Sequence, residues 1–217
     1  MLQGAIIGAV VGVIFSLVML LARRGFRTKL LRALKEGGPE AARALLDRKV
    51  EPATKVGVNQ ILSQRERMAA LALLGDVAAL EQEIAGHRGT LTAVVQVNAL
   101  GLLGVAVRSA DPADAARRLD ELAAQMEREA GRTFALVKKK TRALAVLAQG
   151  LTGQAVPSQT RMTLDSFSGD GGIVQLLVWQ ATAQALEKTG LAGQTQQAQG
   201  IRQKVRALTD AFEPPTT

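Results

Sequence analysis

The chain begins with an uncharged apolar segment, Leu2–Ala22, in which Gln3 and Ser16 carry the only polar side chains. As an α-helix, its 21 residues rise about 1.5 Å each and span roughly 30 Å, the thickness of the hydrocarbon core of a bilayer. The alternative is a cleavable export signal, which has a positive start, an apolar core of about 7–15 residues and a small-residue cleavage site. None of these features is present here, so we expect a retained transmembrane helix over residues 1–22.

The net charge of +8 is concentrated directly after this segment, which favours a membrane surface over nucleic acid as its cause. Residues 1–50 hold nine Lys and Arg against three Asp and Glu, whereas the rest of the chain holds 18 against 16. Cytoplasmic flanks carry the Lys/Arg excess, so we expect the N-terminus outside and residues 23–217 in the cytoplasm of a bacterial inner membrane. The side chains expected to set this topology and contact lipid headgroups are Arg23, Arg24, Arg27, Lys29, Arg32 and Lys35.

Small residues recur every fourth position along the predicted span, at Gly4, Gly8, Gly12 and Ser16. Positions four apart lie on one edge of a helix, and the missing side chains let a second transmembrane helix approach closely. This edge is a candidate packing surface for another span, including that of a second copy of the chain. The alternative is a spacing that arises by chance, because glycine is frequent in membrane helices.

Composition and turn signals together predict an all-α chain. Aromatic residues make up 3% of the sequence and Ala and Leu are abundant, which favours helices over sheets. We expect a basic juxtamembrane helix extension over residues 23–36, an α-helical repeat-like domain over 37–212 and a disordered tail over 213–217. Turn markers 35–43 residues apart indicate helical hairpins, and they fall near Gly37, Gly75, Ala110, Gly153 and Gly190.

Two helix starts are marked by capping residues. Asp76 is expected to cap one helix, and Asp111 another in which Pro112 holds the first helical position. The helix after Asp111 has an apolar stripe at helical spacing, formed by Ala115, Leu119, Leu122 and Met126.

Two stretches, Leu73–Leu80 and Asn98–Leu119, resemble helical hairpins of the tetratricopeptide-repeat family. In that family a small residue packs helix against helix, and the turn carries Gly-Asp followed by a small apolar residue, as at Gly75 and Asp76. No aromatic residue stands where the family's repeat has one. The resemblance covers about residues 60–150. It implies right-handed helical hairpins in a solenoid-like array that binds a peptide or a protein.

A second uncharged stretch, residues 89–107, has two interpretations. Its 19 residues approach the length of a membrane span. Polar residues interrupt its first half, and Arg88 and Arg108 flank it symmetrically, so the positive-inside rule assigns it no orientation. A helix buried on all sides in the centre of the domain has the same composition. Both interpretations stay open at this point.

Few residues of this chain are of the types that catalyse reactions or bind metals and cofactors. The chain has no cysteine, which excludes disulfides and thiolate sites, and His87 is its single histidine. His87 lies one turn after Glu83, where a general base is conceivable, although a histidine also complements a helix C-terminus. The densest basic patch after the N-terminal region, with lipid, RNA or an acidic protein as its candidate contacts, consists of Lys138, Lys139, Lys140 and Arg142. We expect no catalytic, metal or cofactor site.

These observations predict a non-enzymatic, single-pass membrane protein that presents a cytoplasmic helical domain to partner proteins. Its expected partners are the lipid bilayer, proteins of unknown identity and a second copy through the transmembrane glycine edge. Nucleic acid is not expected, because aromatic residues are not interleaved with the cations. The alternatives are a ligand-binding or enzymatic helical bundle tethered to the membrane, and a membrane-tethered nucleic-acid binder.

Overall fold

The computed structural model describes residues 25–48, 57–165 and 172–209. All regular structure in these ranges is helical, which confirms the all-α prediction for this part of the chain. The helices are α1 (25–48), α2 (Gly57–Leu74), α3 (Val77–Gly86), α4 (Leu91–Arg108), α5 (Ala113–Glu129), a 3₁₀ turn (Arg132–Phe134), α6 (Ala135–Gly150), α7 (Ser158–Asp165), α8 (Ile173–Lys188) and α9 (Ala192–Thr209). The predicted transmembrane helix, its small-residue edge, Arg23, Arg24 and the tail over 213–217 lie outside the described residues.

Glycines end three helices at or beside the predicted turns. Gly75, Gly153 and Gly190 adopt φ values of 76°, 98° and 67°, in the left-handed region where a side chain is strained. After the first of these, Asp76 caps α3: its Oδ1 accepts a hydrogen bond from the backbone nitrogen of Ala79 at 2.9 Å. The predicted cap at Asp76 is therefore confirmed.

Helix α5 also begins close to its predicted start. The Oδ1 of Asp111 accepts a hydrogen bond from the backbone nitrogen of Ala113 at 2.9 Å, which is the geometry of a cap. Pro112 has helical dihedrals (φ −78°, ψ −5°), and the hydrogen-bonded helix starts one residue later. Of the predicted apolar stripe, Ala115, Leu119 and Met126 are buried and Leu122 is half-buried against the core.

Helix α1 bends sharply at Gly38, whose φ of 71° interrupts the helical dihedrals. A Cβ atom at Gly37 would lie 2.6 Å from the Cβ of Ala41, a distance that a straight helix does not allow. Phe26 and Leu30, before the bend, are buried in the same core as the later helices. The segment expected to extend the membrane helix thus contributes side chains to the core of the domain.

Helix α4 is the centre of the bundle, and it packs against α2, α3, α5, α6 and α8. It is the one helix among the described residues that is long and apolar enough to cross a membrane, and 67% of its 18-residue stretch is buried inside the bundle. Burial by five neighbouring helices favours the core-helix interpretation of residues 89–107, because a core helix has the same composition as a span.

Glycines on α4 let its neighbours approach closely. A Cβ at Gly104 would lie 2.5 Å from the Cβ of Ala72, and one at Gly101 would lie 3.2 Å from the sulfur of Met68. These two contacts align α2 and α4 side by side, running in the same direction. Helix α3 returns in the opposite direction, because Leu80 lies at Gly104 and Ile84 at Gly101.

The C-terminal helices close the bundle against its beginning. Helix α8 contacts α2, α4 and α6, and α9 packs on α8. Gly150 of α6 lets α8 approach closely, because a Cβ there would lie 2.9 Å from the Cβ of Ala185 on α8. Helix α8 therefore packs on the next helix in the chain, α9, and also reaches back to α2.

Candidate functional site

Two open clefts flank helix α3 on its two sides. The α1–α3 cleft has a volume of about 500 Å³ and is lined by Arg43, Gln64, Arg67, Ala79, Gln82, Glu83, Gly86, His87 and Arg88. The α3–α5 cleft has a volume of about 390 Å³ and is lined by Ile84, Asn98, Leu102, Arg118, Glu121, Leu122, Gln125, Arg128 and Glu129. We call α3 and these two clefts the α3 face.

Ion pairs hold the walls of the α1–α3 cleft together. Arg67 of α2 donates to Asp47 of α1 at 2.7 Å and to Glu83 of α3 at 2.9 Å. Burial alone would lower the pKa of Arg67, but the hydrogen bonds to these two carboxylates outweigh it and hold the pKa above its usual value. Arg43 pairs with Asp76 at the other end of the cleft. These ion pairs therefore connect the three helices α1, α2 and α3 around the cleft.

His87 lies in the α1–α3 cleft at the C-terminus of α3, where its backbone nitrogen donates to the oxygen of Glu83 at 2.9 Å. Burial lowers the pKa of His87, and the nearby charge of Glu83 opposes this effect. The imidazole is thus neutral at pH 7. Its Nε2 is buried and has no hydrogen-bond partner among the described residues. The carboxylate of Glu83 bonds to Arg67, so it does not orient the imidazole as a catalytic pair requires.

The α3–α5 cleft has a similar construction. Arg118 of α5 holds Glu81 of α3 through two hydrogen bonds of 2.7 and 2.9 Å. Asn98 of α4 donates through Nδ2 to the backbone oxygen of Ile84 at 3.4 Å. Its Oδ1 is buried and has no hydrogen-bond partner in the part of the chain that the structure describes. Each cleft is therefore lined by one residue with a buried polar atom that has no hydrogen-bond partner among the described residues.

The predicted basic patch on α6 is partly occupied by contacts within the bundle. Lys138 donates to the backbone oxygen of Glu127 at 3.0 Å and lies 3.7 Å from its carboxylate, and Arg142 pairs with Asp120. Lys139 is exposed. Lys140 lines a small groove of about 110 Å³ between α2, α4 and α6. The four cations thus do not form one free surface.

Four of the predicted headgroup-contacting cations lie on the described part of α1. Lys29, Arg32 and Lys35 are exposed, and Arg27 is half-buried. Arg32 lies 4.0 Å from the carboxylate of Glu36 one turn later, with both side chains in solvent. A pair of this kind holds its charges weakly, so Arg32 remains available to other anions.

Sequence reasoning missed both Asn98 and the structural role of Arg108. Arg108, the last residue of α4, donates to the backbone oxygens of Ala72 and Leu73 at 2.7 Å each and so caps the C-terminus of α2. Burial lowers its pKa. The available signals were an amide side chain inside an apolar run and a cation at the end of that run. Neither signal identifies a partner 14 or 36 residues away.

The described residues contain no cluster of three or more His, Asp and Glu side chains that could hold a metal ion. Comparison with protein-family models, with curated proteins and with solved structures finds no match to this chain. The fold defines an α-helical bundle with one central apolar helix, and each of the two clefts beside α3 is larger than the groove between α2, α4 and α6.

Proposed function

We propose that this protein is a membrane-anchored, non-enzymatic α-helical scaffold that binds a partner protein through its α3 face. One observation carries the proposal. Each cleft beside α3 is lined by a residue with one buried polar atom that has no hydrogen-bond partner in the described bundle, His87 Nε2 in one case and Asn98 Oδ1 in the other. Leaving such an atom unsatisfied costs about 1–3 kcal/mol, which a partner's hydrogen bond can recover.

The arrangement favours a protein over a small molecule as the occupant of both clefts. Helix α3 lies between the clefts, and a helix with its side chains is about 10–12 Å across. A small ligand fills one cleft, whereas a protein surface laid over α3 contacts both. The rims supply the mixed polar and charged groups typical of a transient interface, including Gln82, Arg88 and Gln125.

The anchor in this proposal is the segment Leu2–Ala22, with its N-terminus outside and residues 23–217 in the cytoplasm of a bacterial inner membrane. Its support is the length of the uncharged segment and the Lys/Arg excess directly after it. The edge formed by Gly4, Gly8, Gly12 and Ser16 would pair this span with another. The hairpins after it are proposed to be right-handed and repeat-like, as the tetratricopeptide resemblance implies.

Site-specific photocrosslinking in native membranes tests the partner surface. A photoreactive residue at Gln82, which is exposed on α3, is expected to give one discrete crosslinked partner. The matched control is the same residue at Gln154, an exposed glutamine in the turn after α6. Arg88→Glu should reduce the crosslink at Gln82 several-fold. Equal crosslinking at Gln82 and Gln154 would contradict the proposal, and release of the chain by carbonate alone would contradict the anchor.

The second candidate function is binding of a small anionic ligand in the α1–α3 cleft. It is favoured by the cleft's volume of about 500 Å³ and by the guanidinium of Arg88, which donates to the backbone oxygens of Ala85 and His87. A thermal-shift screen with phosphorylated and carboxylate metabolites separates the two functions. A ligand present at 100 times its Kd stabilises the fold by about 2.7 kcal/mol, whereas a scaffold does not respond.

A further inference from the structure

The connector between α5 and α6 exposes apolar side chains in a continuous stretch. All six residues from 131 to 136 are exposed. Within them the side chain of Leu136 is 64% exposed and that of Phe134 is 40% exposed. Large apolar side chains that stand together in solvent mark a contact surface. We call residues 131–136 the α5–α6 connector.

The directions of the helices place this connector at one end of the bundle. Helices α2 and α4 run the same way, as the contacts of Gly101 and Gly104 require. Helix α6 runs with them, because its first half (Leu136–Leu144) lines a groove with Gln96 and Leu100 from the first half of α4. The connector therefore lies at the end where α2, α4 and α6 begin.

The second arm of α1, after the bend at Gly38, also runs to this end. Arg43 of α1 pairs with Asp76 beyond the C-terminus of α2, and Asp47 pairs with Arg67 nearer its middle. The second arm thus runs toward the beginning of α2. The first arm, before the bend, contributes Phe26 and Leu30 to the same core. The uncharged segment Leu2–Ala22 precedes this arm in the chain.

Positive charges accompany the exposed apolar side chains. Arg132 lies within the connector, and Lys139 lies one turn into α6 beside Leu136; both are exposed. Neither has a carboxylate partner in the described ranges of the chain. Apolar side chains bordered by unneutralised cations match the chemistry of an anionic membrane surface, where acyl chains lie beneath phosphate groups.

We propose that the α5–α6 connector is a second membrane contact. Phe134 and Leu136 enter the boundary between headgroups and acyl chains, while Arg132 and Lys139 bind anionic headgroups. The contact orients the bundle, with the beginnings of α2, α4 and α6 toward the bilayer and the turns after these helices facing the cytoplasm. This inference rests on the membrane anchor of the proposed function.

The absence of cysteine makes the test direct, because single cysteines can be labelled in the full chain. Phe134→Cys and Leu136→Cys carry an environment-sensitive fluorophore in full-length protein in nanodiscs of phosphatidylethanolamine and phosphatidylglycerol. Doxyl lipids in the nanodisc quench labels that lie in the bilayer. Ala110→Cys is the matched control, exposed in the connector between α4 and α5 at the opposite end. A label at Lys29→Cys reports independently whether the anchor holds the start of α1 at the membrane.

We expect labels at positions 134 and 136 to be quenched at least threefold more than the label at position 110, and to shift their emission to the blue. Arg132→Glu combined with Lys139→Glu should remove most of this difference in anionic nanodiscs. If the label at position 29 is quenched while those at 134 and 136 behave like 110, the second contact is wrong and the anchor stands. If the label at position 29 is also unquenched and carbonate extracts the chain, the anchor fails and the inference fails with it.

Discussion

Arg118 of α5 and Glu81 of α3, 37 residues apart in the chain, form a two-fold hydrogen-bonded ion pair with N–O distances of 2.7 and 2.9 Å. These hydrogen bonds raise the pKa of Arg118 above its usual value. The pair joins α3 to α5, the two helices on either side of the α3–α5 cleft. A bidentate ion pair holds the binding surface in one conformation before a partner binds, which reduces the entropy cost of binding.

A double-mutant cycle on this pair is expected to give a coupling free energy of about 0.5–1 kcal/mol, because both side chains stay partly in water. The variants are Glu81→Gln, Arg118→Gln and their combination, and the measurement is urea unfolding in detergent. The matched control is Arg117 and Glu121, a more exposed pair within α5. Coupling no larger than in that pair would show that the link between α3 and α5 adds nothing beyond an ordinary exposed ion pair.

Gly104→Val should destabilise the bundle by about 1–3 kcal/mol or prevent folding, because its Cβ would lie 2.5 Å from that of Ala72. Adding Ala72→Gly should restore part of the lost stability by making room on α2. The control is Gly200→Ala on α9, where a Cβ meets nothing within 4 Å. That change should stabilise by about 0.5–1 kcal/mol through helix propensity. Thermal unfolding in detergent measures all three variants against the parent chain, and an unaffected Gly104→Val would refute the close packing of α4 on α2.

Arg108→Met should lower the free energy of unfolding by about 1–3 kcal/mol, because the oxygens of Ala72 and Leu73 lose their donors. Arg108→Lys should recover only part of this loss, because an ammonium group cannot copy the two-pronged geometry of the guanidinium. Arg117→Met removes an exposed arginine and is the control, with little expected change. Urea unfolding distinguishes these outcomes, and full rescue by lysine would argue against a cap that needs both nitrogens.

His87 should titrate with a pKa below its usual value of 6.5, because burial disfavours the charged form. The unfolded chain then binds more protons than the folded chain near pH 6.5, so the stability contribution is present above this pH and is lost as the pH falls through it. His87→Gln should remove this part of the acid sensitivity. As the single histidine of the chain, His87 gives one isolated imidazole NMR signal for the titration. A pKa at or above 6.5 would contradict its burial.

Gly8→Ile is expected to weaken the association of the predicted span several-fold, because a large side chain holds the partner helix away from the small-residue edge. A reporter of transmembrane association in bacterial membranes makes the measurement. Val10→Ile is the control, because it enlarges a neighbouring position that is not on the edge formed by Gly4, Gly8, Gly12 and Ser16. Equal association of both variants with the parent span would refute packing through the glycine edge.

Local chemistry explains why several elements could be predicted from the sequence. A positive φ at Gly75 and a cap from Asp76 involve atoms within a few residues of one another, so the residue types themselves indicate the turn. The same holds for Asp111 and Pro112 before α5. The sequence does not decide whether residues 89–107 form a membrane span or a core helix. Hydropathy does not distinguish lipid from protein as the apolar surroundings of a helix.

The candidate site was largely unpredictable. Their spacing in the sequence places Glu83 and His87 one helix turn apart. Arg67, which donates a hydrogen bond to the carboxylate of Glu83, lies 16 residues away on α2. The exposure of Phe134 and Leu136 could not be predicted from the sequence, because apolar residues in a predicted helix are normally buried. Exposure depends on which helix faces are covered, and the identity of a residue does not report it.

The sequence by itself determined the helical class, the positions of the turns and the uncharged segment at the start of the chain. Each follows from short-range physics: backbone strain, capping hydrogen bonds and the cost of placing charge in hydrocarbon. Only the tertiary structure decided that α4 is the central helix, that Arg118 meets Glu81 and that two clefts flank α3. These features depend on side chains that lie far apart in the chain and meet when whole helices pack, which no local pattern encodes.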